Sequence, residues 1–160
     1  MNDTSLVLDR DVVARVVLAV VDPELGGVTI GDLGLVHDVR VDPDSAVTVE
    51  LLPTFLGCPA LALMAADVEQ AALALGAREC TVVWRVEPSW DSSRITPLGV
   101  EQLASLGIAV ATTVLASPAC PSCGQQMLKS INPVGATACR AVAWCGGCRS
   151  VIDVMGARRA

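Results

Sequence analysis

Apolar positions in the first two thirds of the chain switch repeatedly between a helical and an extended period. From Asp9 to Val21 they fall at Val12, Val13, Val16, Val17, Val20 and Val21, the spacing of one helical face. Asp9 and Asp11 stand at the end where a helix dipole favours negative charge. Asp22-Pro23 stops this helix, because the residue before a proline avoids helical backbone. Leu35 to Val41 reads as a strand, and Val47, Val49 and Leu51 alternate with polar residues as a second strand. Asp42-Pro43-Asp44-Ser45 supplies the turn between them. An Ala- and Leu-rich helix is predicted from Pro59 to Leu75, closed by Gly76. A third strand runs from Thr81 to Val86, and Thr96-Pro97 opens a last helix that reaches Leu106 and stops at Gly107. The order α-β-β-α-β-α predicts an α+β fold, a small sandwich with a three-stranded sheet, over residues 1–110. Small residues at 111–118 form a linker to a second module at 119–160.

That module carries Cys120-Pro-Ser-Cys123 and Cys145-Gly-Gly-Cys148, with 124–144 between them. Each Cys-x-x-Cys makes a tight knuckle, and two knuckles can complete a four-thiolate shell around one ion. Strands are predicted near 127–130, 138–144 and 151–154, with a turn at Asn132-Pro133-Val134-Gly135, which is a zinc-ribbon pattern. A module this small buries little core, so metal binding would supply on the order of ten kcal/mol of its folding free energy. Zn²⁺ suits two distant knuckles. An iron–sulfur cluster is also held by four thiolates, so the count leaves it as the alternative. Cys139 lies in the same span and is a candidate alternate ligand.

Composition narrows the classes. Apolar residues make up 52% of the 160, which is a folding composition rather than a disordered one. With three Trp, one Phe and no Tyr, the core must come from Val, Leu, Ala and Ile. The first residues, Met1 to Arg10, lack a basic start followed by an apolar run, and Leu103 to Ala116 is too short to cross a bilayer. The expectation is a cytoplasmic protein without a membrane segment, whose seven cysteines are reduced or metal-bound. Residues 1–117 hold six basic against sixteen acidic side chains, and 118–160 hold five against one. Four thiolates around a dication would offset part of that basic surplus, so the field is too weak to argue for nucleic acid. A nucleic-acid-binding ribbon stays the rival that this charge balance disfavours.

Among single residues, Cys58 stands out. It lies in Thr54-Phe55-Leu56-Gly57-Cys58-Pro59, where a strand gives way to a helix whose N-terminus favours a thiolate. Such a thiolate could contact a soft metal or attack an electrophile; packing as a small hydrophobe is the plain alternative. Thr54 could cap that helix or bond the thiol. Asp22, Glu24 and Asp32 gather carboxylates close in sequence, a pattern that more often caps helices and ties loops to backbone than binds metal. His37 is the only histidine and has no local partner in sequence. Cys80 at a strand start reads as packing, and Trp90 in Pro88-Ser89-Trp90 as a core or interface anchor. No Walker loop, dinucleotide fingerprint, nucleophile elbow or His-Glu-x-x-His occurs, so catalysis by this chain alone has little support.

Taken in order, Asp22-Pro23-Glu24, Asp32-Leu33-Gly34-Leu35-Val36, Thr54 with Gly57-Cys58-Pro59, Pro88-Ser89-Trp90 and Leu103 with Gly107-Ile108 resemble the small domain of iron–sulfur cluster assembly accessory proteins. The tail, with Cys120-Pro-Ser-Cys123-Gly124, Ala136-Thr137-Ala138-Cys139-Arg140-Ala141 and Cys145-Gly-Gly-Cys148, resembles that of the D-subunit family of phenylacetyl-CoA epoxidases. The likeness spans nearly the whole chain. It departs where the ribbon has Val142 and Ile152 in place of aromatic residues. The resemblance implies a non-catalytic accessory component of a multi-subunit oxygenase system, assisting iron–sulfur or di-iron centre maturation in aerobic phenylacetate degradation. Its alternative is a general iron–sulfur carrier. It implies epoxidase oxygenase or reductase subunits and iron–sulfur assembly proteins as partners, with a homodimer left open. Cys58 would be the reactive or cluster-contacting thiol, including a transient cluster, with Thr54, Asp22 and Glu24 shaping its surroundings. Cys120, Cys123, Cys145 and Cys148 would hold the ribbon metal.

Overall fold

The computed structural model describes residues 8–111 and 117–156. The N-terminal segment and most of the expected linker at 111–118 lie outside the described residues. The chain folds as two compact units. Among the described residues, one contains those up to 31, Leu35–Pro53 and Pro59–Ser89; the other contains Asp32–Gly34, Thr54–Cys58 and those from Trp90 onward.

The first unit is two-layered. Helix α1 (Arg10–Leu18) starts at Asp9, whose carboxylate accepts from the Asp11 and Val12 amides at 2.7 and 3.1 Å. It ends short of the expected Val21 because the next residues have other partners. Ile30 N–H donates to Val20 O at 2.8 Å, Asp22 N–H donates to Val28 O at 2.9 Å, and Val21 bridges to Thr29. The β-branched residues at the end of the helical pattern thus become extended backbone.

Strand β1 (Val36–Val41) and β2 (Ala46–Leu51) form the expected antiparallel hairpin, and β3 (Glu79–Trp84) joins β2 in parallel through helix α2 (Leu61–Ala74). β3 is offset from its predicted span by this register, in which Ala46 faces Glu79 and Leu51 faces Trp84. α2 packs on β3, and α1 packs on β1 and α2. Val13, Val17, Val39, Val47, Val49, Leu51, Met64 and Val68 form their common apolar interior. Gly76 closes α2 with φ +97°, as expected of a residue just past a helix end. The one polar intrusion in β2, buried Glu50, is neutralised by Arg40 at 2.6 Å and Arg85 at 3.2 Å.

The second unit has a hydrogen-bonded hub and a second sheet. In the hub, three consecutive carbonyls find three donors. Asp32 O accepts from Thr96 N–H at 2.9 Å, Leu33 O from Trp90 Nε1 at 2.9 Å, and Gly34 O from Arg94 Nε at 2.8 Å. Asp32 Oδ1 also accepts from the Thr96 hydroxyl at 2.7 Å, while Thr96 Oγ1 accepts from Gly99 N–H and caps helix α3 (Pro97–Ser105). Gly34 has φ +67°, and a Cβ there would collide with the Arg94 backbone.

The second sheet has the order β4-β7-β6-β5, with β4 (Ile108–Val110), β5 (Leu128–Asn132), β6 (Arg140–Cys145) and β7 (Val151–Met155). Strands β5 to β7 are the expected ribbon. Strand β4 is not among the expected elements; it pairs with β7 in parallel, Ala109 opposite Val154. The Ser92 hydroxyl donates to Ala111 O at the end of β4. The α+β architecture with a three-stranded sheet and a cysteine-bearing β module is borne out. Among the described residues no helix is long and apolar enough to cross a membrane.

Candidate metal centre and thiol sites

The two cysteine knuckles repeat one backbone design. In the first, Gly124 N–H donates to Cys120 O at 2.8 Å and Cys120 N–H donates to Gln125 O at 3.0 Å. In the second, Arg149 N–H donates to Cys145 O at 2.9 Å and Cys145 N–H donates to Ser150 O at 2.9 Å. Gly124 and Arg149 occupy equivalent positions, and both take left-handed backbone, φ +73° and +64°. Glycine meets that demand without strain; arginine does not. The second knuckle is anchored to the start of β5 by Gly146 N–H donating to Met127 O at 3.0 Å.

These turns aim four sulfurs at one point. Cys120 and Cys148 Sγ are 3.7 Å apart, as are Cys123 and Cys145 Sγ, and all four lie within 4.8 Å of one another. A tetrahedral ion with metal–sulfur bonds of about 2.3 Å sets its ligands about 3.8 Å apart. The donor set therefore fits a single thiophilic ion. Cys120 and Cys145 are buried in an apolar cluster with Ala109, Ala111, Ala143, Ile152 and Val154, whereas Cys123 is exposed and Cys148 half-exposed. Ile152, aliphatic where the resembled family has an aromatic, is thus a core residue of the ribbon.

Four thiols this close cannot all ionise without a cation. The Ser150 hydroxyl and amide pull the Cys148 thiol down to about 6, helped by the Cys145 and Cys120 sulfurs. Cys123 receives the Gln125 amide, which favours its thiolate, yet desolvation and the sulfurs of Cys145, Cys148 and Cys120 push it up to about 11. One sulfur holds negative charge at the expense of its neighbour, and a dication would relieve that competition.

Cys139 stands outside this group. It precedes β6 and Cys145 ends it, a separation of about 20 Å at the ~3.3 Å rise of a strand residue. Its Sγ lies 3.1 Å from the Thr137 hydroxyl, which in turn accepts from Arg140 Nε at 2.8 Å. The alternate-ligand expectation meets this physical obstacle: the strand holds the thiol at the far end of the ribbon.

Cys58 is half-buried at the end of a turn in which its N–H donates to Phe55 O at 3.2 Å. Leu56 at the turn's tip is 65% exposed. A Cβ on Gly57 would come within 2.6 Å of the Phe55 ring, so glycine lets the ring fold over the turn. Helix α2 begins only at Leu61, capped by Ala60 without a side-chain hydrogen bond. Cys58 is therefore not at the helix terminus itself, and Thr54 does not cap the helix. The cause is the extra turn at 59–60.

Asp22 and Glu24 belong to the first unit, Cys58 and Thr54 to the second. Asp22 is buried, and its Oδ1 accepts from the Glu24 and Leu25 amides at 2.8 and 3.1 Å. That is loop-tying work for a carboxylate. Glu24 and His37 are exposed. Cys80 is half-buried, and desolvation with the nearby Glu69 charge pushes its thiol up to about 11, which keeps it protonated. Ser150 and Gln125 support the knuckles without being among the expected site residues. Their one signal in the sequence is their place just beyond each knuckle.

Comparison with known proteins adds to this geometry. Residues 10–84 match the iron–sulfur cluster assembly protein family, and residues 110–156 match the PaaD zinc beta ribbon domain. The chain is 30% identical over 138 residues to the putative 1,2-phenylacetyl-CoA epoxidase D-subunit of Escherichia coli K12, covering 82% of this chain and 83% of that protein. An Fe-S protein maturation auxiliary factor of Porphyromonas gingivalis is 31% identical, covering 66% of this chain and 100% of that protein. Among solved structures, a domain of unknown function DUF59 from Bacillus anthracis superposes with a TM-score of 0.54 at 29% identity, covering 59% of this chain and 90% of that one.

Proposed function

The chain belongs to the PaaD family of iron–sulfur assembly accessory proteins, the D-subunit family of phenylacetyl-CoA epoxidases, and on that premise we propose that it matures a metal centre of such an epoxidase system without catalysing the oxygenation itself. One observation carries the reading: an assembly domain and a PaaD ribbon occur in one chain, and the match to the Escherichia coli protein extends over 82% of it. Cys58 is the thiol that contacts the iron–sulfur cargo. The half-buried position on an exposed turn supports this, since a cargo-handling thiol must be reachable yet held. Thr54, Asp22 and Glu24 are the residues proposed to shape the surroundings of that thiol.

The ribbon cysteines Cys120, Cys123, Cys145 and Cys148 hold Zn²⁺ in a structural role. Sulfurs within 4.8 Å of one another favour one ion. A multi-iron cluster hangs its thiolates on different irons and spreads them further apart. When bound, the ion supplies cross-linking charge, not redox chemistry. The oxygenase or reductase components and iron–sulfur assembly proteins are the chain's proposed partners.

A general iron–sulfur maturation role is the second reading, favoured by the match to the Porphyromonas factor over its full length. Deleting the gene in its host distinguishes the two. The expected outcome is loss of epoxidase activity with unrelated iron–sulfur enzymes intact. Broad loss of cluster enzymes supports the general role, and unchanged epoxidase activity defeats the proposal.

A further inference from the structure

The two cross-knuckle pairs at 3.7 Å each join a covered sulfur to one that meets solvent. Fully buried Cys145 lies 3.7 Å from exposed Cys123. Buried Cys120 lies 3.7 Å from half-exposed Cys148. A hydroperoxide can reach only the outer sulfur of each pair, while the inner one stands within attacking distance of it. Cys139, the fifth cysteine of the module, is held at the other end of β6 beside Thr137 and offers no competing partner.

We propose that the ribbon is a peroxide-responsive site: Cys123 and Cys148 are oxidised first, Cys145 and Cys120 resolve them, and the zinc is released. This rests on the zinc-ribbon reading above and adds a regulation to that site. In the first step the outer thiolate attacks a peroxide oxygen; the O–O bond breaks, the cysteine becomes a sulfenic acid and, with one proton taken up, one water leaves. In the second step the inner thiolate attacks the sulfenic sulfur; an S–S bond forms and, with a second proton, the hydroxyl leaves as water. Each pair thus consumes one hydrogen peroxide and two protons and yields a disulfide and two waters. The sulfurs lose their negative charge and the dication loses its ligands. The ribbon strands, whose core includes two of these cysteines, then lose their cross-link. A maturation factor with this device stops working under the oxidising conditions that destroy iron–sulfur clusters.

The test uses the full chain, purified anaerobically with its zinc content measured first. Hydrogen peroxide is titrated in, released zinc is read with a chromogenic chelator, and disulfides are mapped by mass spectrometry after alkylation. The expected result is full zinc release at about one peroxide per cysteine pair, Cys123–Cys145 and Cys120–Cys148 linkages, and recovery with a dithiol reductant and zinc. Zinc retained while peroxide is consumed overturns the proposal, as do knuckle-internal Cys120–Cys123 and Cys145–Cys148 linkages. A chain that contains no zinc at the outset fails the ribbon reading itself, before any peroxide is added.

Discussion

The chain holds its cysteines in two contrasting ways. The four ribbon thiols are fixed by twin backbone knuckles, each closed by two main-chain hydrogen bonds, and two of them are also packed in the apolar cluster of the ribbon. Cys58 sits on a short turn in which its N–H donates to Phe55 O, with an exposed leucine at its tip. The first arrangement is built to keep an ion, the second to present a sulfur. A metal ligand needs several donors fixed at once, whereas a thiol that meets a passing cargo needs access.

The largest way to break this contrast is to remove the metal. Cys145→Ser, or a strong zinc chelator, should withdraw on the order of 10 kcal/mol of binding energy from the ribbon. Hydrogen exchange should then rise across β5 to β7 while α2 keeps its protection. Unchanged protection of the ribbon would show that it does not depend on an ion.

The hub is the metal-independent support of the same unit, and Gly34→Ala probes it. The new Cβ meets the Arg94 backbone at φ +67°, so a loss of about 2–4 kcal/mol is expected in chemical denaturation, with zinc content retained. A loss below about 0.5 kcal/mol would mean that the close approach is relaxed in solution.

Trp90→Phe should cost less, about 1–3 kcal/mol, because it leaves Leu33 O without its 2.9 Å donor while keeping most of the apolar ring. An unchanged denaturation midpoint would show that this bond contributes nothing to the hub. Smallest of all, Arg149→Gly should leave zinc affinity intact and change stability by no more than about 1 kcal/mol, in the stabilising direction. It relieves the left-handed backbone that Gly124 already meets without strain. A clear destabilisation would mean that the two knuckles are not equivalent.

What can be read from the sequence follows locality. The knuckles are legible because Cys-x-x-Cys encodes its own turn, and α3 because Thr96, Pro97 and Gly107 mark their positions directly. β4 is not, since Ile108–Val110 is a strand only by virtue of β7, whose pairing residues come some forty positions later. The end of α1 is hidden because Val20 and Val21 continue a helical pattern while their backbone is claimed by the loop around Thr29. Trp90 and Asp32 stand out in the sequence, yet that Trp90, Arg94 and Thr96 serve three consecutive carbonyls emerges only in three dimensions. Asp22 is legible as loop chemistry, because an Asx turn needs only its own next residues. For Cys58, the two residues of turn before Leu61 decide that it lies beyond the helix end, and boundaries of that kind are set by packing rather than by pattern.

The division of labour between the two kinds of cysteine is tested most directly by restoring a deletion strain with Cys58→Ser. The expected result is epoxidase activity as low as in the deletion, with the purified variant folded and carrying the same zinc as the wild type. Full epoxidase activity from Cys58→Ser would contradict that division.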